Sequence, residues 1–216
     1  MKKSSFISLE AVAGQENALS DFLKHGAEIV GSTEPETLLW TAVQSPDASQ
    51  CAIFDTFGSE AGRNAHFDGQ VAAALNANAA TLVKGGWDEG VVPNIQNGSI
   101  IGSKVGTTST DVKLAMWIPL TAQEGKSQQL ANLLSMGAQM VTDSEPQTLY
   151  WFALQLNDTQ FAIIDFFADQ SGIDAHFAGK VAAALHDNAE VLVEGGWEQG
   201  VVAGIQQFNV LAFIDR

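Results

Sequence analysis

The stretch His66 to Val92, HFDGQVAAALNANAATLVKGGWDEGVV, returns at His176 to Val202 as HFAGKVAAALHDNAEVLVEGGWEQGVV, with 18 of 27 positions identical at a constant offset of 110. Composition alone does not produce so long a match, so the chain is one unit written twice. Any fold must therefore be buildable from half of the 216 residues, and about 100 residues suffice for a core.

Each copy reads in the same order. Ser5 to Ala11 alternates as a strand, and Gly14 to Val30 places Ala18, Leu19, Phe22, Leu23, Ala27 and Val30 at helical spacing. Glu34-Pro35 stops that helix. Thr37 to Gln44 and Gln50 to Phe57 flank the turn signal Ser45-Pro46-Asp47 and read as a hairpin. Ser59 is an N-cap for a second helix that runs to about Val83, where Gly85-Gly86 ends it, and a last strand falls within 94–103. The order β-α-β-β-α-β is the ferredoxin-like unit. In the second copy the strands fall at 113–120, 147–156, 159–167 and 204–214 and the helices at 124–141 and 169–193; one residue is lost in the hairpin turn. The sequence thus divides into a first repeat, 1–103, a small polar linker, 104–112, and a second repeat, 113–216.

The strands are apolar on both faces. Leu38, Trp40 and Ala42 point one way and Leu39 and Val43 the other; Leu149, Trp151 and Ala153 likewise oppose Tyr150, Phe152 and Leu154. Two helices cover one sheet face, so the other face needs a second sheet. The expected fold class is α+β: two ferredoxin-like repeats packed sheet to sheet as a pseudo-dimeric α+β barrel within one chain, with further homo-oligomerisation left open.

A net charge of −15 and a pI near 4.4 argue against nucleic acid and anionic membrane surfaces as partners. No apolar run approaches the length of a membrane span, and MKKSSFISLEAV lacks the continuous apolar stretch of a signal peptide, so the expected location is cytoplasmic. The single cysteine, Cys51, aligns with Phe161 and reads as core filling; disulfides and cysteine-zinc sites are excluded.

The run EPETLLWTAVQSPDASQCAIFDTFGSEAGRNAHFDGQVAAAL and its copy EPQTLYWFALQLNDTQFAIIDFFADQSGIDAHF resemble the antibiotic biosynthesis monooxygenase family of the dimeric α+β barrel superfamily. The marks are a Glu-Pro-x-Thr-Leu entry to the second strand, an acidic residue with aromatics ending the third, and an Ala-His pair in the second helix. The resemblance implies a covalently fused pseudo-dimer and cofactor-free oxygenation of a quinol or other polyphenol. Its other branch implies haem degradation with one of the histidines on the iron. A third reading is a barrel that binds a small aromatic molecule, or serves in stress, without catalysis.

Candidate residues follow from the repeat. His66 and His176 are the only histidines shared by both copies; each is either a general base, given an ordinary pKa near 6.5, or a hydrogen-bonding partner of the adjoining loop. Asp55 and Asp165, set in apolar strands, need a donor and either orient a histidine or anchor a loop. Trp40 and Trp151 are core residues or the wall of a site for a flat aromatic ligand. Phe67, Val71, Ala74, Leu75 and Leu82 make an apolar helix face with Asn78 near its centre, and Asn188 matches it; each amide bonds a strand backbone or a ligand. The same wheel places the histidines at the flank of that face. One histidine and one aspartate per copy make a poor metal site, and the expected cofactor complement is none. The second copy carries more aromatic volume, with Leu39, Thr41, Thr56 and Phe6 becoming Tyr150, Phe152, Phe166 and Trp117, so two pockets would be unequal.

Overall fold

A computed structural model describes residues 1–106 and 111–216. Much of the connector read at 104–112 lies outside the described residues. The first copy supplies β1 (Lys3–Glu10), α1 (Glu16–Thr33), β2 (Thr37–Gln44), β3 (Gln50–Phe57), α2 (Glu60–Phe67), α3 (Gln70–Leu82), a π-helical turn (Gly86–Val91) and β4 (Ile95–Lys104). The second supplies β5 (Leu114–Thr121), α4 (Ser127–Ser144), β6 (Thr148–Gln155), β7 (Gln160–Phe167), α5 (Gln170–Phe177), α6 (Lys180–Leu192), a second π-helical turn (Gly196–Val201) and β8 (Gln206–Asp215). The fold class is the expected one: the strands form a closed barrel in the order β1-β3-β2-β8-β5-β7-β6-β4. Among the described residues no helix is long and apolar enough to cross a membrane.

The chain divides into two compact units, Met1–Asn97 with Phe208–Arg216, and Gly98–Gln207. Their boundaries differ from those of the sequence copies because the last strands are exchanged. β8 pairs antiparallel with β2, from Leu39 opposite Asp215 to Gln44 opposite Asn209, and β4 pairs with β6, from Ser99 opposite Gln155 to Lys104 opposite Trp151. Each exchanged strand ends in a cation at a helix C-terminus, where carbonyls lack intrahelical partners. The Arg216 guanidinium donates to the carbonyls of Val30, Gly31 and Glu34, and Lys104 Nζ to that of Glu145 at 2.7 Å.

In the first unit Ile7, Leu9, Trp40, Ala42, Cys51 and Ile53 face α1 and α3, meeting Leu19, Leu23, Val30, Val71, Leu75, Ala79 and Leu82. The opposite strand parity, Leu39, Thr41, Phe54 and Thr56, is buried as well. Burial pushes the Cys51 thiol up to about 11, as expected of an inert core residue.

The second helix of each copy is two helices. Ser59 caps α2 by accepting from Gly62 N, and Asp169 does the same for α5 from Gly172 N. The break follows at Gly69 and Gly179, where a Cβ would sit 2.6 Å and 2.4 Å from the carboxylate of Glu34 and Glu145. Only glycine lets that carboxylate reach the new helix start, where Glu34 Oε1 accepts from Val71 N and Glu145 Oε1 from Val181 N. The turns beyond α3 and α6 begin with left-handed glycines, φ +83° and +63° at Gly85-Gly86, and +82° and +63° at Gly195-Gly196.

Candidate functional site

Four elements converge on His66. The C-cap of α1 brings Glu34, the start of β2 brings Thr37, β3 brings Asp55, and the end of α2 brings the imidazole. His66 Nδ1 lies 2.5 Å from Glu34 Oε2 and 3.2 Å from Thr37 Oγ1, and Nε2 lies 3.1 Å from Asp55 Oδ2. The second unit repeats this: His176 Nδ1 is 2.6 Å from Glu145 Oε2 and 3.2 Å from Thr148 Oγ1, and Nε2 is 3.1 Å from Asp165 Oδ2. All eight residues are buried. The aspartate contacts are ion pairs in which charge is the larger effect, and by strict geometry neither oxygen of either aspartate has a hydrogen-bond partner among the described residues.

Burial alone would push each imidazole below 6.5. The two flanking carboxylates more than reverse this, through the charge of Asp55 or Asp165 and then the Glu34 or Glu145 bond, raising His66 to about 10 and His176 to about 9. Glu34 and Glu145 are pushed up by burial and pulled down further by their histidines, so both end below the ordinary carboxylate range. Burial pushes Asp165 up against the pull of His176. The histidines are therefore imidazolium ions at neutral pH, each between two carboxylates. They are not at the flank of a helix, as a single continuous helix would have them, because α2 and α3 are separate and the wheel of one does not carry to the other.

The imidazole of His66 also forms part of the wall of a cavity of about 230 Å³ between the sheet and helices of the first unit, with Trp40, Phe22, Phe67, Leu75 and Trp87. The corresponding cavity beside His176 and Trp151 measures about 30 Å³. The inequality expected from sequence is present, but not for the expected reason. Leu39, Thr41 and Thr56 belong to the strand parity opposite Trp40 and Ile53, away from this cavity. The first helix of the second copy also lies closer to its tryptophan: a Cβ on Gly137 would meet Trp151 Cη2 at 3.0 Å, whereas one on Gly26 would meet Trp40 Cη2 at 3.4 Å. Both indole N–H groups, Trp40 Nε1 and Trp151 Nε1, are buried without a hydrogen-bond partner among the described residues.

Asn78 and Asn188 need correction. Both are exposed, and each side chain donates back to its own helix, to the carbonyls of Ala74 and Ala184. The buried face runs through Val71, Leu75, Ala79 and Leu82. Counting Phe67, which lies before the helix break, and Ala74 rotated the apparent face towards Asn78. Glu34 and Thr37 join the site although Glu34-Pro35 reads in the sequence only as a helix stop. The usable signal was their return as Glu145 and Thr148 at one offset. Among the described residues no group of three or more His, Cys, Asp or Glu side chains is arranged to hold a metal ion.

Neither a protein-family model nor a curated protein matches the sequence. Solved structures do. A candidate monooxygenase of Lactobacillus acidophilus is 9% identical with a TM-score of 0.79, over 99% of this chain and 96% of that one. An anthrone oxidase-like protein is 9% identical with a TM-score of 0.63, over 99% and 92%. A haem-degrading enzyme of Listeria monocytogenes is 10% identical with a TM-score of 0.51, over 96% and 99%. At such identities the likeness is one of fold: this chain has the ferredoxin-like α+β barrel fold of these structures, with two tandem copies in one polypeptide.

Proposed function

We propose that the protein binds one compact, neutral, electron-rich aromatic molecule in the cavity of its first unit and oxygenates it without a cofactor, the ligand being a quinol or related polyphenol. The cavity carries this reading. An apolar cavity of about 150 Å³ is enough for benzene, and 230 Å³ walled by Trp40, Phe22, Phe67 and Trp87 suits one or two fused rings. Two carboxylates beside one imidazolium leave the Glu34–His66–Asp55 cluster with excess negative charge, which favours a neutral ligand over a phenolate.

Support for the oxygenation half is the fold shared with proteins described as a monooxygenase and an anthrone oxidase-like protein. The chain's own residues bind the ring and exclude water. His66 is assigned a positioning role: an imidazolium with a pKa raised to about 10 takes no proton from a substrate at neutral pH. The same cluster stands complete in the second unit, where the cavity is almost closed, which fits a structural clamp better than a catalytic base. The haem-degrading alternative fits less well, because both ring nitrogens of His66 face carboxylates and the cavity is small for a tetrapyrrole.

Oxygen uptake with a panel of one- and two-ring quinols tests the reading, beside anaerobic titration of the same compounds. Binding with uptake supports it. Binding without uptake reduces it to a small-molecule-binding protein, and neither overturns it.

A further inference from the structure

The Gly-Gly-Trp segments repeat in both copies, and the function above leaves them without a role. Each forms a π-helical turn, a geometry of poor intrinsic stability that recurs at functional sites. In the first unit the half-buried members of the cavity wall, Phe22, Phe67, Ala72, Trp87 and Ile95, mark where the cavity meets solvent. Of these only Trp87 sits on a turn; the others are held in a helix or strand.

The two turns are tied differently. In the second unit Glu190 Oε1 accepts from Trp197 N at 3.1 Å, and the Trp197 ring meets His186 edge-on with centroids 4.9 Å apart. Gln123 Nε2 fastens the end of α6 by donating to the Glu190 carbonyl at 2.9 Å. The first copy has Ala80, Asn76 and Val12 at these three positions, so none of the ties can form there. Its side-chain ties include an exposed Lys84–Glu10 pair and an Asn94 Nδ2 bond to the Gly90 carbonyl at the two ends of the turn, while the Trp87 carbonyl accepts from Val92 N within it. An exposed ion pair of that kind contributes little.

We propose that the chain has one ligand site of this kind rather than two, entered through the π-helical turn of the first copy with Trp87 as its gate, while Trp197 is fixed over the small counterpart cavity beside Trp151. This rests on the ligand cavity assigned above and adds its stoichiometry and its entrance. Outward movement of Trp87 opens the cavity wall at its one half-buried, turn-borne member, and the left-handed glycines at 85 and 86 give the turn a pivot.

The test is ¹⁹F NMR of full-length protein labelled with 5-fluorotryptophan, with resonances assigned by Trp87→Phe and Trp197→Phe, and with 1-naphthol as the probe. Without ligand the Trp87 signal should be broadened by exchange and that of Trp197 sharp. One equivalent of 1-naphthol should move the Trp87 signal and leave Trp197 unchanged. The double variant Asn76→His, Ala80→Glu installs the second copy's ties, and should sharpen Trp87 and slow naphthol uptake about tenfold with an unchanged melting temperature. Equally sharp signals for both residues without ligand would overturn the gate even if naphthol binds. A response of both residues to naphthol would overturn the single site. A mobile Trp87 with no naphthol response would remove the ligand reading, and this proposal with it.

Discussion

Glu34 Oε2 lies 2.5 Å from His66 Nδ1 while Glu34 Oε1 accepts from Val71 N, so one carboxylate holds the imidazolium and starts the next helix. Removing the cation leaves Glu34 and Asp55 buried without a counter-charge. Loss of one partner of a buried pair costs about 3 to 5 kcal/mol. His66→Gln and His176→Gln should each lower stability by roughly that amount in urea unfolding. A folded His66→Gln variant of parental stability would contradict the clamp.

The pH dependence has a defined sign. His66 and His176 have folded values raised to about 10 and about 9, above 6.5, so their contribution is fully present below 6.5 and is lost as pH rises through the folded values. Glu34 and Glu145 are depressed below 4.5, so theirs is present above 4.5 and is lost as pH falls through the folded values. Stability from these groups should peak between those limits, and the histidine variants should flatten its alkaline side. Imidazole NMR titrations with midpoints near 6.5 would contradict the assignment.

Gly69 is fixed by space rather than by backbone angle. Gly69→Ala should force the Glu34 carboxylate away from Val71 N and cost about 1 to 3 kcal/mol, the usual range for overpacking. Gly179→Ala should behave alike. Thermal melting of both variants checks this, and an unchanged melting temperature would mean that the carboxylate has another place to go.

Asn78→Ala and Asn188→Ala should change stability by no more than about 0.5 kcal/mol and leave ligand binding intact, because both side chains are exposed and bond only their own helix.

These cases show what the sequence makes legible. The repeat, the β-α-β-β-α-β order and the double-sided strands were readable because periodicity records burial directly: Trp40 and Leu39 are both apolar because both are buried. Exchange of β4 and β8 was not readable, since backbone pairing leaves no mark on which neighbour a strand chooses. The site was half legible. His66 and Asp55 stood out by residue type, whereas Glu34, beside a proline, looked like punctuation; its role depends on a helix break at Gly69 that brings residues 32 apart into contact. Asn78 was misplaced by the same unseen break, which shifts the helical phase between Phe67 and Val71.

The proposed asymmetry, a ligand site in the first-unit cavity and none in its counterpart, can be measured directly. Ala72 and Ala182 line the two cavities at equivalent positions, so phenylalanine at 72 fills one and phenylalanine at 182 leaves it untouched. The direct measurement is anaerobic calorimetric titration of naphthalene-1,4-diol into the parent protein, Ala72→Phe and Ala182→Phe. One site per chain is expected in the parent and in folded Ala182→Phe, and none in folded Ala72→Phe. Two equivalent sites in the parent, or undiminished binding to Ala72→Phe, would contradict it.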